Sequence, residues 1–143
     1  MSDHFEIAII GAGPAGLGAA ANAAKHNLSY ILIERKEIGN TVFDYQLGKL
    51  VMAEPQKLPL RAHVPFEAGS REEVLEGWNN TVNSLGVKFR KGEVAAIKNG
   101  GDKFELHTSG GNLTASKVIL SIGVQGSPRK LGVPGEDLAK VAY

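Results

Sequence analysis

The 143-residue chain contains no cysteine. That excludes a disulfide framework, a thiolate metal site and a redox cysteine pair within these residues. Neither sign of charge dominates: 16 Lys and Arg stand against 15 Asp and Glu, for a formal net charge of +1. The balance gives no electrostatic footprint for nucleic acid or an anionic membrane. No apolar run approaches the roughly 20 residues that cross a bilayer, and no basic segment followed by an apolar one marks a signal peptide. A cytoplasmic location is the matching expectation. Acidic residues are dispersed along the chain, so neither a paired-carboxylate site nor a metal site is evident. What remains is an ordinary soluble composition, 43% hydrophobic and 22% charged, of a length that suits one domain with a real core.

Against that background one segment is distinctive. The run Phe5-Glu6-Ile7-Ala8-Ile9-Ile10 leads into Gly11-Ala12-Gly13-Pro14-Ala15-Gly16. A stretch of small residues follows, then the apolar Tyr30-Ile31-Leu32-Ile33 closes on Glu34, eighteen residues after Gly16. Strand, glycine turn, helix, strand and acid in this order form a βαβ unit that binds a dinucleotide. Gly11 permits the tight turn, Gly13 lets a pyrophosphate approach the backbone, and Gly16 lets the helix lie close on the strands. The unpaired N–H groups of the helix start suit a diphosphate. Pro14 fits the first turn, where its missing N–H costs nothing. A carboxylate at Glu34 accepts from ribose hydroxyls and repels a 2′-phosphate, which favours FAD or NAD over NADP.

Residues 35–69 read as mostly irregular, punctuated by Gly39, Asn40, Gly48, Pro55, Pro59 and Pro65. A helix follows, with Ser70 and Glu73 as a capping box, an apolar stripe of Val74, Leu75, Trp78, Val82 and Leu85, and Gly86 as its stop. Strand patterns at residues 87–90, 93–97, 103–108 and 112–115 predict an antiparallel meander with glycine turns. Lys117-Val118-Ile119-Leu120-Ser121-Ile122 reads as a separate, buried, parallel strand ending at Gly123. The predicted fold is α/β and Rossmann-like: a mostly parallel sheet, a helix on each face, and the meander as an added layer.

The arrangement resembles the N-terminal part of the FAD-binding domain in flavoproteins with two dinucleotide-binding domains. That superfamily of pyridine nucleotide-disulfide oxidoreductases includes thioredoxin reductase, glutathione reductase and bacterial ferredoxin–NADP reductases of the thioredoxin-reductase type. The likeness rests on Gly11 to Gly16, Glu34, the meander, and Val118-Ile119-Leu120-Ser121-Ile122-Gly123 followed by Pro128 and Val133-Pro134-Gly135-Glu136-Asp137. The last stretch is similar to the family's strand ending in Ala-Thr-Gly and its Pro-Gly-Glu-Asp turn. Here Ser121-Ile122-Gly123 replaces Ala-Thr-Gly.

The resemblance implies that Gly11, Gly13, Pro14, Ala15 and Gly16 hold the FAD pyrophosphate and Glu34 the adenosine ribose. It implies Arg35 or Lys36 beside the adenine, Asn40 and Thr41 along the diphosphate and flavin, the Val94 backbone at the adenine edge, and Ile122 and Gly123 near the cofactor. The parent protein is then an FAD-dependent NAD(P)H oxidoreductase with an unknown electron acceptor and a homodimer as its expected assembly. The segment from Gly39 through Met52-Ala53-Glu54-Pro55 is closest in character to relatives without a cysteine pair in the FAD domain. Residues 1–143 are expected to be the N-terminal part of an FAD-binding domain, lacking the NAD(P)H domain and the returning FAD-domain segment, and inactive alone.

No side chain reads as a catalytic acid, base or nucleophile. His63, His4 and His107 read as solvated or structural, Trp78 as core, and Tyr45 and Gln46 as structural. Ser121 fits two roles equally, a donor to the cofactor or the end of a strand. Two rivals stay open: an NAD-binding domain of a dehydrogenase, and a non-catalytic nucleotide-binding module.

Overall fold

The computed structural model describes residues 3–51, 64–124 and 129–141. His63, Pro128 and the Met52–Pro55 stretch lie outside them.

Strand β1, Asp3–Ile10, runs through the middle of a six-stranded sheet. Helix α1, Pro14–Lys25, follows the glycine turn and is rich in alanine. Its buried Leu17, Ala20, Ala21 and Ala23 pack on the sheet. Strand β2, Tyr30–Glu34, pairs parallel to β1 with Ile7 opposite Tyr30 and Ile10 opposite Ile33. The stretch read as irregular holds a one-turn helix α2, Asn40–Phe43, and two short strands, β3, Leu50–Val51, and β4, Gly69–Ser70, which pair antiparallel.

Helix α3, Arg71–Ser84, starts at the expected capping box. The Glu73 N–H donates to Ser70 Oγ at 3.3 Å, and the Ser70 N–H donates to Glu73 Oε2 at 2.8 Å. Trp78 is core, as its stripe position implies: it is buried, and its indole N–H donates to the Pro65 carbonyl at 2.9 Å. Strand β5, Phe89–Lys91, then joins β2 in parallel. Strands β6, Val94–Asn99, and β7, Phe104–Thr108, form an antiparallel hairpin. Strand β8, Leu113–Leu120, pairs antiparallel to β7 and parallel to β1, giving the order β5-β2-β1-β8-β7-β6.

Four expectations need correction. The strand read over 87–90 is not part of the meander: β5 pairs with β2 in parallel, on the far side of β1 from β6, β7 and β8. The two long helices do not lie one on each face. Both α1 and α3 pack into a single cluster with Ile9, Tyr30 and Leu32, while the other face, Ala8, Ile10, Ile31 and Ile33, is covered by Leu106, Leu113 and Ala115 of the meander. The two strands read over 112–115 and 117–122 are one continuous strand, because no glycine or proline interrupts Ser116-Lys117. Its C-terminal half is not buried: Ile119 is 39% and Leu120 63% exposed. There β8 is paired to β1 alone, since its register with β7 runs only from Leu113 to Ala115.

Candidate functional site

The parallel strands β1, β2, β5 and β8 all end at one edge of the sheet, the edge where open α/β sheets bind ligands. An open cleft of about 380 Å³ lies there. Ile10 and Gly11 line it from the end of β1, and Ile33, Glu34 and Arg35 from the end of β2. Gly92, Glu93 and Val94 follow β5, and Ile122, Gly123 and Val124 follow β8. Six residues singled out from the sequence, Gly11, Glu34, Arg35, Val94, Ile122 and Gly123, are therefore brought together.

The glycine turn is fixed by its surroundings. Gly11 has φ +101°, and a Cβ there would lie 2.4 Å from the Ser121 carbonyl oxygen. A Cβ on Gly16 would lie 1.8 Å from the Gly11 carbonyl oxygen. These two glycines are demanded by close packing of strand, turn and helix. Gly13 is different. It is the N-cap of α1 in an extended conformation, φ −77° and ψ −175°, open to any residue. Among the described residues nothing lies within 4 Å of a Cβ placed on it. Pro14 and Ala15 are exposed beside it.

Glu34 does more than its sequence position suggests. Its Oε2 accepts the Ala12 N–H and its Oε1 the Lys36 N–H, each at 3.0 Å. A carboxylate has roughly four acceptor sites, so capacity remains for a ligand. Lys36 pairs with Asp44 at 3.7 Å, on the surface. Asn40 and Thr41 are not among the cleft's lining residues. They belong to α2, which is joined to the turn by the Gly39 N–H donating to the Ala12 carbonyl at 2.8 Å. The Asn40 amide donates to Asp44 at 2.8 Å.

Ser121 turns its hydroxyl inward, toward the backbone of the turn. Its hydroxyl lies 2.8 Å from the Ile10 carbonyl and 3.0 Å from that of Gly11. Glu93 and Gly92 were missed in the sequence. The signal for them was the end of β5, since every parallel strand end faces the same edge. The Glu72 and Glu73 carboxyls are held below the usual carboxylate pKa range. For Glu72 the hydrogen bond from Arg71 is the main cause, and for Glu73 the Ser70 N–H. Both stand at the start of α3 and neither lines the cleft. Among the described residues no group of three His, Asp or Glu could hold a metal, and no helix is long and apolar enough to cross a membrane.

A profile of the pyridine nucleotide-disulphide oxidoreductases matches residues 8–143. The chain belongs to that family. It is 32% identical over 137 residues to a ferredoxin–NADP reductase of Ignicoccus hospitalis, covering 94% of this chain and 42% of that protein. It is 32% identical over 136 residues to a thioredoxin reductase of Treponema pallidum, covering 95% and 40%. Among solved structures, the bacillithiol disulfide reductase of Bacillus cereus superposes with a TM-score of 0.84 at 26% identity, covering 98% of this chain and 46% of that one. The chain thus spans less than half the length of these relatives. The matches favour the thioredoxin-reductase-like reading over a dehydrogenase NAD domain or a non-catalytic module.

Proposed function

We propose that this chain carries the adenosine and pyrophosphate half of an FAD site in a thioredoxin-reductase-like, NAD(P)H-dependent flavoprotein oxidoreductase. The observation that carries the reading is Gly13. Packing accounts for Gly11 and Gly16, but nothing in the described residues calls for a glycine between them. Its missing side chain leaves room for a ligand, at a helix start whose N–H groups and dipole suit a diphosphate.

The other roles are those the family resemblance implies. The backbone of Gly11 to Gly16, with Gly13, Pro14 and Ala15 at the open side, faces the pyrophosphate. Glu34 has acceptor capacity for the ribose hydroxyls, and its charge disfavours a 2′-phosphate. Arg35 or Lys36 flanks the adenine, and Val94 presents backbone from β6, an edge strand of the sheet, with a register shift between Val94 and Ala96. Ile122 and Gly123 close the β8 side, and Asn40 and Thr41 lie toward the flavin end. When bound, FAD supplies the redox chemistry, with the protein setting its position. NAD(P)H and the electron acceptor are the parent protein's partners. Residues 1–143 form the N-terminal part of the FAD-binding domain. The exposed Leu120, Ile122 and Val124, at 63%, 66% and 94%, support a domain completed by further chain.

The test is reconstitution of the full-length protein with FAD, then with NAD, followed by gel filtration and titration. Flavin absorbance eluting with the protein is the expected result. NAD binding without any FAD response would overturn the reading in favour of a dehydrogenase domain.

A further inference from the structure

The peptide joining Gly11 to Ala12 is held at both ends. Its carbonyl lies 3.0 Å from the Ser121 hydroxyl, and its N–H lies 3.0 Å from Glu34 Oε2. A hydroxyl has one hydrogen to donate, and the Ile10 carbonyl, also within reach of it at 2.8 Å, is already served by the Ser121 N–H at 2.8 Å. Among the described residues the Ser121 hydroxyl is the donor that reaches the Gly11 carbonyl. A peptide is planar, so fixing the direction of its carbonyl fixes the direction of its N–H. That N–H in turn holds one oxygen of the Glu34 carboxylate.

We infer that Ser121 is a positioning residue for the ribose-binding carboxylate, acting through the Gly11–Ala12 peptide plane. The inference rests on the reading of Glu34 as the ribose acceptor. The fold leaves little choice of side chain at this point. The Ser121 hydroxyl sits in the gap that Gly16 leaves open, 2.8 Å from where a Gly16 Cβ would stand. It is small enough for that gap and polar enough for the buried carbonyl beside it. An alanine would fit the space but leave the Gly11 carbonyl without this donor, and the peptide plane would be held at its N–H alone. The carboxylate would then lose its fixed aim before any ligand arrived, and preorganisation of that kind is what binding affinity depends on. The neighbouring Ile122 cannot substitute for the hydroxyl, since its side chain has no donor.

The experiment compares wild type, Ser121→Ala and Ser121→Thr in the full-length protein. One measurement is the competition of ADP and 2′-deoxy-ADP against FAD. The other is hydrogen–deuterium exchange in the peptide containing Gly11 and Ala12 without nucleotide. In S121A, exchange at that peptide should rise about tenfold and ADP should bind about tenfold more weakly. Preference for ADP over 2′-deoxy-ADP should fall about threefold, and the hydroxyl of S121T should restore all three. A general loss of packing would weaken both nucleotides equally, and that result overturns the inference. Should S121A lose its circular dichroism signal, Ser121→Cys, with its weak donor, carries the same expectations. Unchanged exchange in a folded S121A removes the clamp itself. A wild type that binds neither nucleotide removes the reading of the site, on a separate measurement.

Discussion

Replacing Gly13 with alanine separates a ligand-binding glycine from a packing glycine. The added Cβ meets nothing within 4 Å among the described residues, and the backbone at φ −77° and ψ −175° accepts any side chain. Alanine is a poorer N-cap than glycine, by up to about 1 kcal/mol. Reduced freedom of the unfolded chain returns about 0.4–1 kcal/mol. The two nearly cancel, so the melting temperature of the nucleotide-free protein should barely move. Binding should not be spared. A methyl at the open side of the turn holds the diphosphate away from the amides, and each charged hydrogen bond lost costs about 1.5–3 kcal/mol. At about 1.36 kcal/mol per tenfold, loss of one such bond weakens FAD by ~10- to 100-fold. Gly16→Ala is the contrasting control. Its Cβ would stand 1.8 Å from the Gly11 carbonyl oxygen, so it should lose about 3 kcal/mol or more of stability. Thermal melts without ligand and FAD titrations of the folded variants check both. A folded G13A with wild-type FAD affinity, or one as destabilised as G16A, would refute the reasoning.

Trp78→Ala should cost about 3–5 kcal/mol in a denaturant titration. The indole is 1% exposed, stacks on Phe66 with ring centroids 6.5 Å apart, and lies against Gly39, whose N–H holds the Ala12 carbonyl. FAD affinity should therefore fall with it. Glu34→Gln should raise the affinity of 2′-phospho-ADP relative to ADP, read by competition against FAD, because the repelling charge is gone. The Glu73 carboxyl pKa is held below its usual range, chiefly by the Ser70 N–H and then by the Ser70 hydroxyl. Its folded value lies below its unfolded one, so its contribution is full above the ordinary carboxylate range. It is lost as pH falls through the lowered folded value. Melting temperature followed across that acid window should drop less steeply in Glu73→Gln than in wild type.

Elements whose signals are local were legible in the sequence. The Ser70–Glu73 capping box and the stripe through Trp78 gave α3 its start and its buried face. The turn at residues 100–103, where the Gly100 N–H donates to the Lys103 carbonyl, closed the β6–β7 hairpin. The placement of helices was not legible, because it depends on strand order. Crossovers between parallel strands are right-handed. From β1 the chain moves to β2 and then to β5, always in one direction, so α1 and α3 must fall on the same face. Only afterwards does the chain cross to the other side of β1, and it does so through the hairpin. The opposite face is thus left to the meander. The exposed end of β8 has the same origin, since β7 turns away from it after the pairing of Ala115 with Phe104.

The site divides in a similar way. Gly11 and Glu34 could be named from the sequence because the turn and the acid mark themselves, while Val94 and Gly123 came from the family resemblance. The bonds among them could not, since Ala12 and Glu34 are 22 residues apart and Gly11 and Ser121 are 110 apart. These long-range bonds change what the motif means. Its glycines look equivalent as letters, yet Gly11 and Gly16 answer to the Ser121 carbonyl and to each other, while Gly13 answers to nothing in the described chain. Bonds to Ser121, Ile33, Glu34 and Gly39 tie the turn down on its inner side. Gly13, Pro14 and Ala15 are left facing outward. A turn so constrained on its inner side and bare on the other has its amides set in place before a ligand arrives. That is why a methyl on the bare side should cost affinity while leaving the fold intact.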